Sequence, residues 1–148
     1  MKDFDLPFKR VTVRAIIVRR DDGALLGMLH RKDGKYAPPG GGMKNGETSE
    51  ETLLRELEEE KIVIIGRDPK WRERIAVDFY EKTGELNIWY IFLAEDVHIG
   101  NSEEWIDARW LDQTQDVWYP RMRERIFLAI EDYIPDMLKV EVSVLDSW

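Results

Sequence analysis

The chain is 148 residues long, with 22 Lys and Arg against 30 Asp and Glu, a formal net charge of −8, 43% hydrophobic residues and no cysteine. That length suits a single domain, 1–148, able to bury a core without covalent staples; the missing cysteine excludes disulfides, thiolate zinc sites and thiol nucleophiles. The acidic balance argues against a nucleic acid polymer or an anionic membrane as partner, since their phosphates call for cations, but a small phosphorylated ligand stays open because a divalent cation can bridge like charges.

The opening MKDFDLPFKR has no long apolar run, and no stretch approaches the roughly 20 apolar residues that span a bilayer, so a cytoplasmic protein is expected. Val11 to Arg20 is rich in β-branched residues and is followed by Asp21-Asp22-Gly23 and the apolar run Ala24 to Leu29, which together predict a β-hairpin. Between Arg31 and Gly46 come Pro38, Pro39, Gly40, Gly41 and Gly42 in succession, a composition that predicts a shaped loop and neither a helix nor a central strand. Thr48 to about Lys61 is predicted helical: Thr48-x-x-Glu51 has the form of a capping box, and Leu53, Leu54 and Leu57 recur at helical spacing.

Ile62 to Ile65 is a short β-branched run. Trp71 to Tyr80 and Asn87 to Ala94 flank a turn at Lys82-Thr83-Gly84, the pattern of a second hairpin. A loop with Gly100 and Asn101 leads to a short strand, Trp105 to Leu111, and Pro120 opens a second predicted helix that runs to about Tyr133 before Pro135. In the tail, about 136–148, Leu138, Val140, Val142 and Val144 alternate with polar residues, the pattern either of a fraying terminus or of an extra strand that would pair with an exposed edge, of this chain or of a second copy in a homodimer.

The chemistry concentrates in PPGGGMKNGETSEETLLRELEEEKIV, Pro38 to Val63. On a helix advancing about 100° per residue, Glu56, Glu59 and Glu60 fall within roughly a third of the circumference, beside the stripe of Leu53 and Leu57. Like charges four apart oppose a helix by about 0.2 to 0.5 kcal/mol per pair, and apolar surroundings add to that cost unless a counter-ion is present. Magnesium suits such a cluster, taking a few carboxylates and sharing itself with substrate phosphates. A glutamate-rich helix alone would read as a solvated face, as Glu50, Glu51 and Glu58 do. The glycine loop before it alters the balance, because it lets backbone N–H groups approach an anion closely.

The segment resembles the box of the Nudix (MutT-like) hydrolases, GxxxxxE, seven residues, RE, an aliphatic, any residue, EE, any residue, glycine and an aliphatic. Gly41, Glu47, Arg55, Glu56, Leu57, Glu59, Glu60 and Val63 match it; Ile62 replaces the usual glycine and Thr52 stands where a small residue is common. The resemblance implies an α/β/α sandwich with a mixed central sheet, the box helix on one side and the Pro120 to Tyr133 helix on the other. It implies Mg²⁺ or Mn²⁺ held by Glu56, Glu59 and Glu60 with a backbone carbonyl at Gly40, Arg55 as an orienter of a neighbouring carboxylate, and Glu47 and Gly41 as support. The general base stays open between Glu56 and, in the loop before Trp110, Glu104, with Glu103 beside it. By the same resemblance the reaction is attack of water on the pyrophosphate link of a nucleoside diphosphate derivative: an NTP, an oxidised nucleotide, a dinucleoside polyphosphate or a nucleotide sugar. A noncatalytic nucleotide- or protein-binding domain of the same fold is the rival reading, favoured by Ile62 and opposed by the intact carboxylates. Tyr80 is a candidate for substrate contact; the other aromatics read as core or sheet surface, and His30 and His98 as strand or surface residues, too far apart in sequence to suggest a metal site.

Overall fold

The computed structural model describes residues 10–31, 34–66, 75–80 and 84–111, with the backbone alone for 75–80. In chain order the elements are β1 (Arg10–Arg19), β2 (Leu25–His30), β3 (Tyr36–Ala37), β4 (Gly40–Gly42), α1 (Ser49–Glu59), β5 (Ile62–Ile65), β6 (Ile75–Tyr80), β7 (Glu85–Ala94), β8 (Asp96–Ile99) and β9 (Trp105–Leu111).

Strand β1 is the axis of the sheet. It runs parallel to β7 along its whole length, from Arg10↔Glu85 to Arg19↔Ala94, and β7 pairs antiparallel with β6. The other edge of β1 is shared: β4 occupies Thr12 to Arg14, and β2 joins at Val18↔Leu25. Strand β2 in turn pairs antiparallel with β3 and β9. The sheet is therefore mixed, and β5 and β8 form a separate two-stranded ladder. With α1 packed on it, the described part is an α+β fold of the expected kind.

Strand β1 alternates polar and apolar from Arg10 to Arg14 and becomes continuously apolar from Ala15 to Val18, where residues on both its faces are buried. Val13, Ala15 and Ile17 join Tyr90, Phe92 and Ala94 of β7, Leu26 and Met28 of β2, and Leu53 and Leu57 of α1 in one buried cluster. On the opposite face Ile16, Val18, Leu25, Ile91, Leu93 and Leu111 are buried as well. Each such side chain contributes roughly 1.5–3 kcal/mol by leaving water, so this layer fixes the position of α1 against β1 and β4.

The first predicted hairpin forms, the described part of the second, 75–80, pairs antiparallel with β7 while residues 71–74 and 81–83 lie outside the described residues, and the short strands at 62–65 and 105–111 fall where expected. The Pro-Pro-Gly-Gly-Gly segment requires a correction. It is not all loop, for Gly40–Gly42 pairs with the central strand β1. The glycines make this possible: Gly40 has φ +143, and a Cβ there would stand 2.1 Å from the Val13 carbonyl oxygen, so only a residue without one can lie against β1. Strands β3 and β8 were not anticipated; two residues are too few for a periodic signal, and DVHI alternates around a histidine. The predicted helix from Pro120 to Tyr133 and the strand-like tail 136–148 lie outside the described residues, as does the side chain of Tyr80. Among the described residues no helix is long and apolar enough to cross a membrane.

Candidate metal and catalytic site

Helix α1 begins as its sequence predicts. Thr48 is the N-cap, its hydroxyl accepting from the Glu51 N–H at 3.1 Å, while the Glu51 carboxylate accepts from the Thr48 N–H at 2.9 Å. Leu53 and Leu57 turn into the core, which carries Glu56 and Glu60 against the glycine strand and leaves Glu50, Glu51 and Glu58 in water. At the other end Lys61 adopts φ 62 and its N–H donates to the Glu58 carbonyl at 3.1 Å. The left-handed residue that closes the helix is thus Lys61, and Ile62 is free to be extended and buried as the first residue of β5.

Glu60 is completely buried. Its Oε2 accepts the Gly40 N–H at 3.0 Å; its Oε1 has no hydrogen-bond partner among the described residues. Burial, with the charge of Glu56 nearby, pushes this carboxyl up to about 8. Glu56 is 8% exposed, and burial raises its proton affinity too, although Arg55 opposes the shift. Gly41 explains itself against Glu56: a Cβ at that position would meet Glu56 Oε1 at 2.5 Å. Oxygens of Glu56, Glu60 and Glu104 all lie within 4.8 Å of one another.

Glu104 reaches the helix because its loop is tied to the helix end. Ser102 Oγ donates to the Glu59 carbonyl at 3.3 Å and accepts from the Glu104 N–H at 3.2 Å, and the Trp105 indole N–H donates to the Glu60 carbonyl at 2.9 Å. These bonds also satisfy carbonyls that the last turn leaves without helical partners.

Arg55 organises the other side. Its Nε and Nη2 donate to the two oxygens of Glu47 at 2.7 and 3.0 Å, a bidentate pair, and Nη2 also reaches the Gly42 carbonyl at 2.9 Å. Nη1 donates to Glu56 Oε1 at 3.0 Å and to Glu59 at 3.3 Å. This guanidinium brings Glu47 down to about 2, helped by the Lys44 N–H and the Thr52 hydroxyl, while the carboxylates raise the proton affinity of Arg55. Thr52, fully buried at its small-residue position, donates to Glu47 Oε1 at 3.1 Å.

Of the residues singled out in the sequence, Glu56, Glu60 and Glu104 converge, Gly40 meets them through its N–H, and Arg55, Glu47 and Gly41 surround them. Glu59 is exposed, outside that group of three, and bound to the same Arg55 Nη1 that holds Glu56; Glu103 is exposed, and its carbonyl accepts from Arg31 Nε at 2.8 Å. His30 was set aside as an ordinary strand residue, yet its Nε2 lies 3.9 Å from Glu60 Oε1. It arrives there because β2 ends beside the site, a placement that no local spacing reveals. Ser102 and Trp105 carried no signal of their own either. The donor set is all carboxylate oxygen, with one buried oxygen unpartnered, and it fits a hard divalent cation.

The profile of the NUDIX domain matches residues 8–129. The chain belongs to the Nudix family. Curated relatives include the RNA pyrophosphohydrolases of Xanthomonas campestris pv. campestris, 30% identical over 75% of this chain and 61% of the relative, and of Xylella fastidiosa, 27% identical over 75% of this chain and 66% of the relative. The chain thus spans under two thirds of the length of these relatives. Among solved structures, the fold is similar to a bifunctional NMN adenylyltransferase/ADP ribose pyrophosphatase from Francisella tularensis complexed with AMP and a manganese ion, with TM-score 0.66, 19% identity and coverage of 83% of this chain and 41% of that one. It is also similar to an Ap4A hydrolase from C. elegans, with TM-score 0.61, 20% identity and coverage of 83% and 98%. At these identities the two structures speak for the Nudix fold.

Proposed function

We propose that this Nudix protein is a divalent-metal-dependent pyrophosphohydrolase, cutting the diphosphate link of a nucleoside diphosphate derivative with water. The observation that carries the reading is Glu60: a buried carboxylate with an oxygen unpartnered among the described residues, converging with Glu56 and Glu104, is costly to fold around unless a cation completes it. Glu56, Glu60 and Glu104 would hold Mg²⁺ or Mn²⁺, with Glu59 at the exposed rim beside them. Bound there, the cation supplies charge neutralisation at the phosphoryl oxygens and a lowered pKa for water.

The chain's own groups do the rest. Arg55 fixes Glu56 and Glu59 in orientation while its other edge locks Glu47 and the Gly42 carbonyl, so the acidic face and the glycine strand move as one piece. Glu56, whose burial favours the protonated form, accepts the proton of the attacking water. The water oxygen bonds to phosphorus, the bridging P–O bond breaks, and the departing phosphate or nucleotide takes the electron pair. Glu104, on its tethered loop, is the second acceptor.

The test is a panel with Mg²⁺ or Mn²⁺, with and without EDTA: nucleoside triphosphates, oxidised nucleotides, dinucleoside polyphosphates, nucleotide sugars including ADP-ribose, and RNA with a 5′-triphosphate, the last because of the named relatives. Metal-dependent cleavage of one class, lost in Glu60→Gln, supports the proposal. Cleavage of none, with nucleotide binding retained, moves the reading to the noncatalytic domain.

A further inference from the structure

The β1–β7 strand pair changes character halfway along the face turned away from α1. Toward its end, Ile16 and Val18 stand in register with Ile91 and Leu93, all buried. Toward its start the same face carries Arg10, Thr12 and Arg14 on β1 and Glu85 and Asn87 on β7, paired Arg10↔Glu85 and Thr12↔Asn87. Thr12 and Asn87 are 0% and 2% exposed. A sheet does not require such residues in a buried stretch, and each polar group left there without a partner costs about 1–3 kcal/mol.

Some of the groups are satisfied within the fold. Thr12 Oγ1 donates to Glu85 Oε1 at 2.6 Å, and Arg14 Nη1 donates to the Pro38 carbonyl at 2.8 Å. Two are not: Arg14 Nε and Asn87 Nδ2 are buried with no hydrogen-bond partner among the described residues. They project from one sheet face at diagonal positions, where neighbours are about 7–8 Å apart. Both are donors, so what would satisfy them is a pair of acceptors. Arg14 also adjoins the carboxylate cluster, since Gly40, its partner across β1 and β4, is the residue whose N–H binds Glu60.

We propose that Arg14 and Asn87 form the seat for the nucleotide moiety of the substrate, Arg14 donating to a phosphate oxygen that the carboxylate cluster does not hold and Asn87 to a neutral acceptor of the nucleoside, a hydroxyl or a carbonyl. This rests on the hydrolase reading and deepens it by assigning the residues that select the nucleotide. The donors without partners among the described residues are then stability given up for binding, which makes a distinctive signature at Asn87: removing its donor harms recognition without harming the fold, whereas Arg14 also holds the Pro38 carbonyl.

The experiment measures metal-free binding of AMP and GMP to the full chain by calorimetry, with Tm, and KM for whichever panel compound the wild type cleaves. Asn87→Leu and Arg14→Gln are each expected to weaken nucleotide binding and raise KM by about tenfold, near the upper end of one lost hydrogen bond, with the Tm of Asn87→Leu unchanged or higher. Asn87→Asp keeps the size and removes the donor should the leucine variant not fold. Equal affinity in wild type and variants, or no nucleotide binding by the wild type, overturns the assignment. Binding that the variants weaken in a protein that cleaves nothing would support the seat while sinking the hydrolase reading, so the two failures are distinct.

Discussion

Glu60 shows most clearly how one side chain ties stability to function. Its carboxyl is pushed up to about 8 by burial, above the ordinary value of about 4.3 that it has in the unfolded chain. A group whose pKa is raised on folding contributes stability that is present below its unfolded pKa and lost as pH rises through the folded one. Metal-free protein should therefore lose Tm from about pH 4.5 to pH 8, and Glu60→Gln should flatten that slope, measured by thermal melts in EDTA; a slope unchanged by the substitution would remove Glu60 as its origin. Glu47 acts in the opposite sense. Held at about 2 by Arg55, it stabilises at neutral pH and loses that contribution only as pH falls toward 2. Gly41 gives a steric counterpart: Gly41→Ala, with its Cβ 2.5 Å from Glu56 Oε1, should displace that carboxylate and lower kcat at least tenfold with Tm nearly kept. Wild-type kcat in that variant would show that Glu56 can move without consequence.

At the scale of elements, the two ends of α1 were legible to different degrees. The capping box and the Leu53/Leu57 stripe are local patterns, and they place Glu56 and Glu60 inward because a helix converts spacing into direction. The C-terminal end was less legible, since Ile62 obscured where the chain reverses. Lys61 takes the left-handed conformation that costs a side chain roughly 1 kcal/mol, so Lys61→Gly should raise stability by about 0.5–1 kcal/mol in urea melts; a loss would mean that the Lys61 side chain contributes packing that offsets the strain. Trp105 was read only as the start of a strand. Its indole bond to the Glu60 carbonyl, with Ser102 on Glu59, holds Glu104 over the helix. Trp105→Phe should weaken Mn²⁺ binding several-fold while the circular dichroism spectrum stays that of the wild type; unaltered affinity would show that the loop holds itself.

Over the whole molecule, the box resemblance and the strand periodicities conveyed the mixed sheet and one face of the site. Features that depend on long-range register did not show. Glycines 40 to 42 read as loop until β1 is seen to run beside them, and His30 comes close to Glu60 only through the position of β2. Arg14 and Asn87, 73 residues apart in sequence, become neighbours through the parallel pairing of β1 and β7. The helix that carries the carboxylates is a local object, and the surface that would recognise a substrate is assembled by topology.

Glu56, Glu60 and Glu104 are the proposed divalent cation site. Its most direct test is Mn²⁺ titration of the full chain at pH 7.5, followed by electron paramagnetic resonance, in the wild type, Glu60→Gln and Glu104→Gln. Saturable binding is expected in the wild type, weakened at least tenfold by either substitution; binding of equal strength in all three proteins would rule these carboxylates out as the ligands.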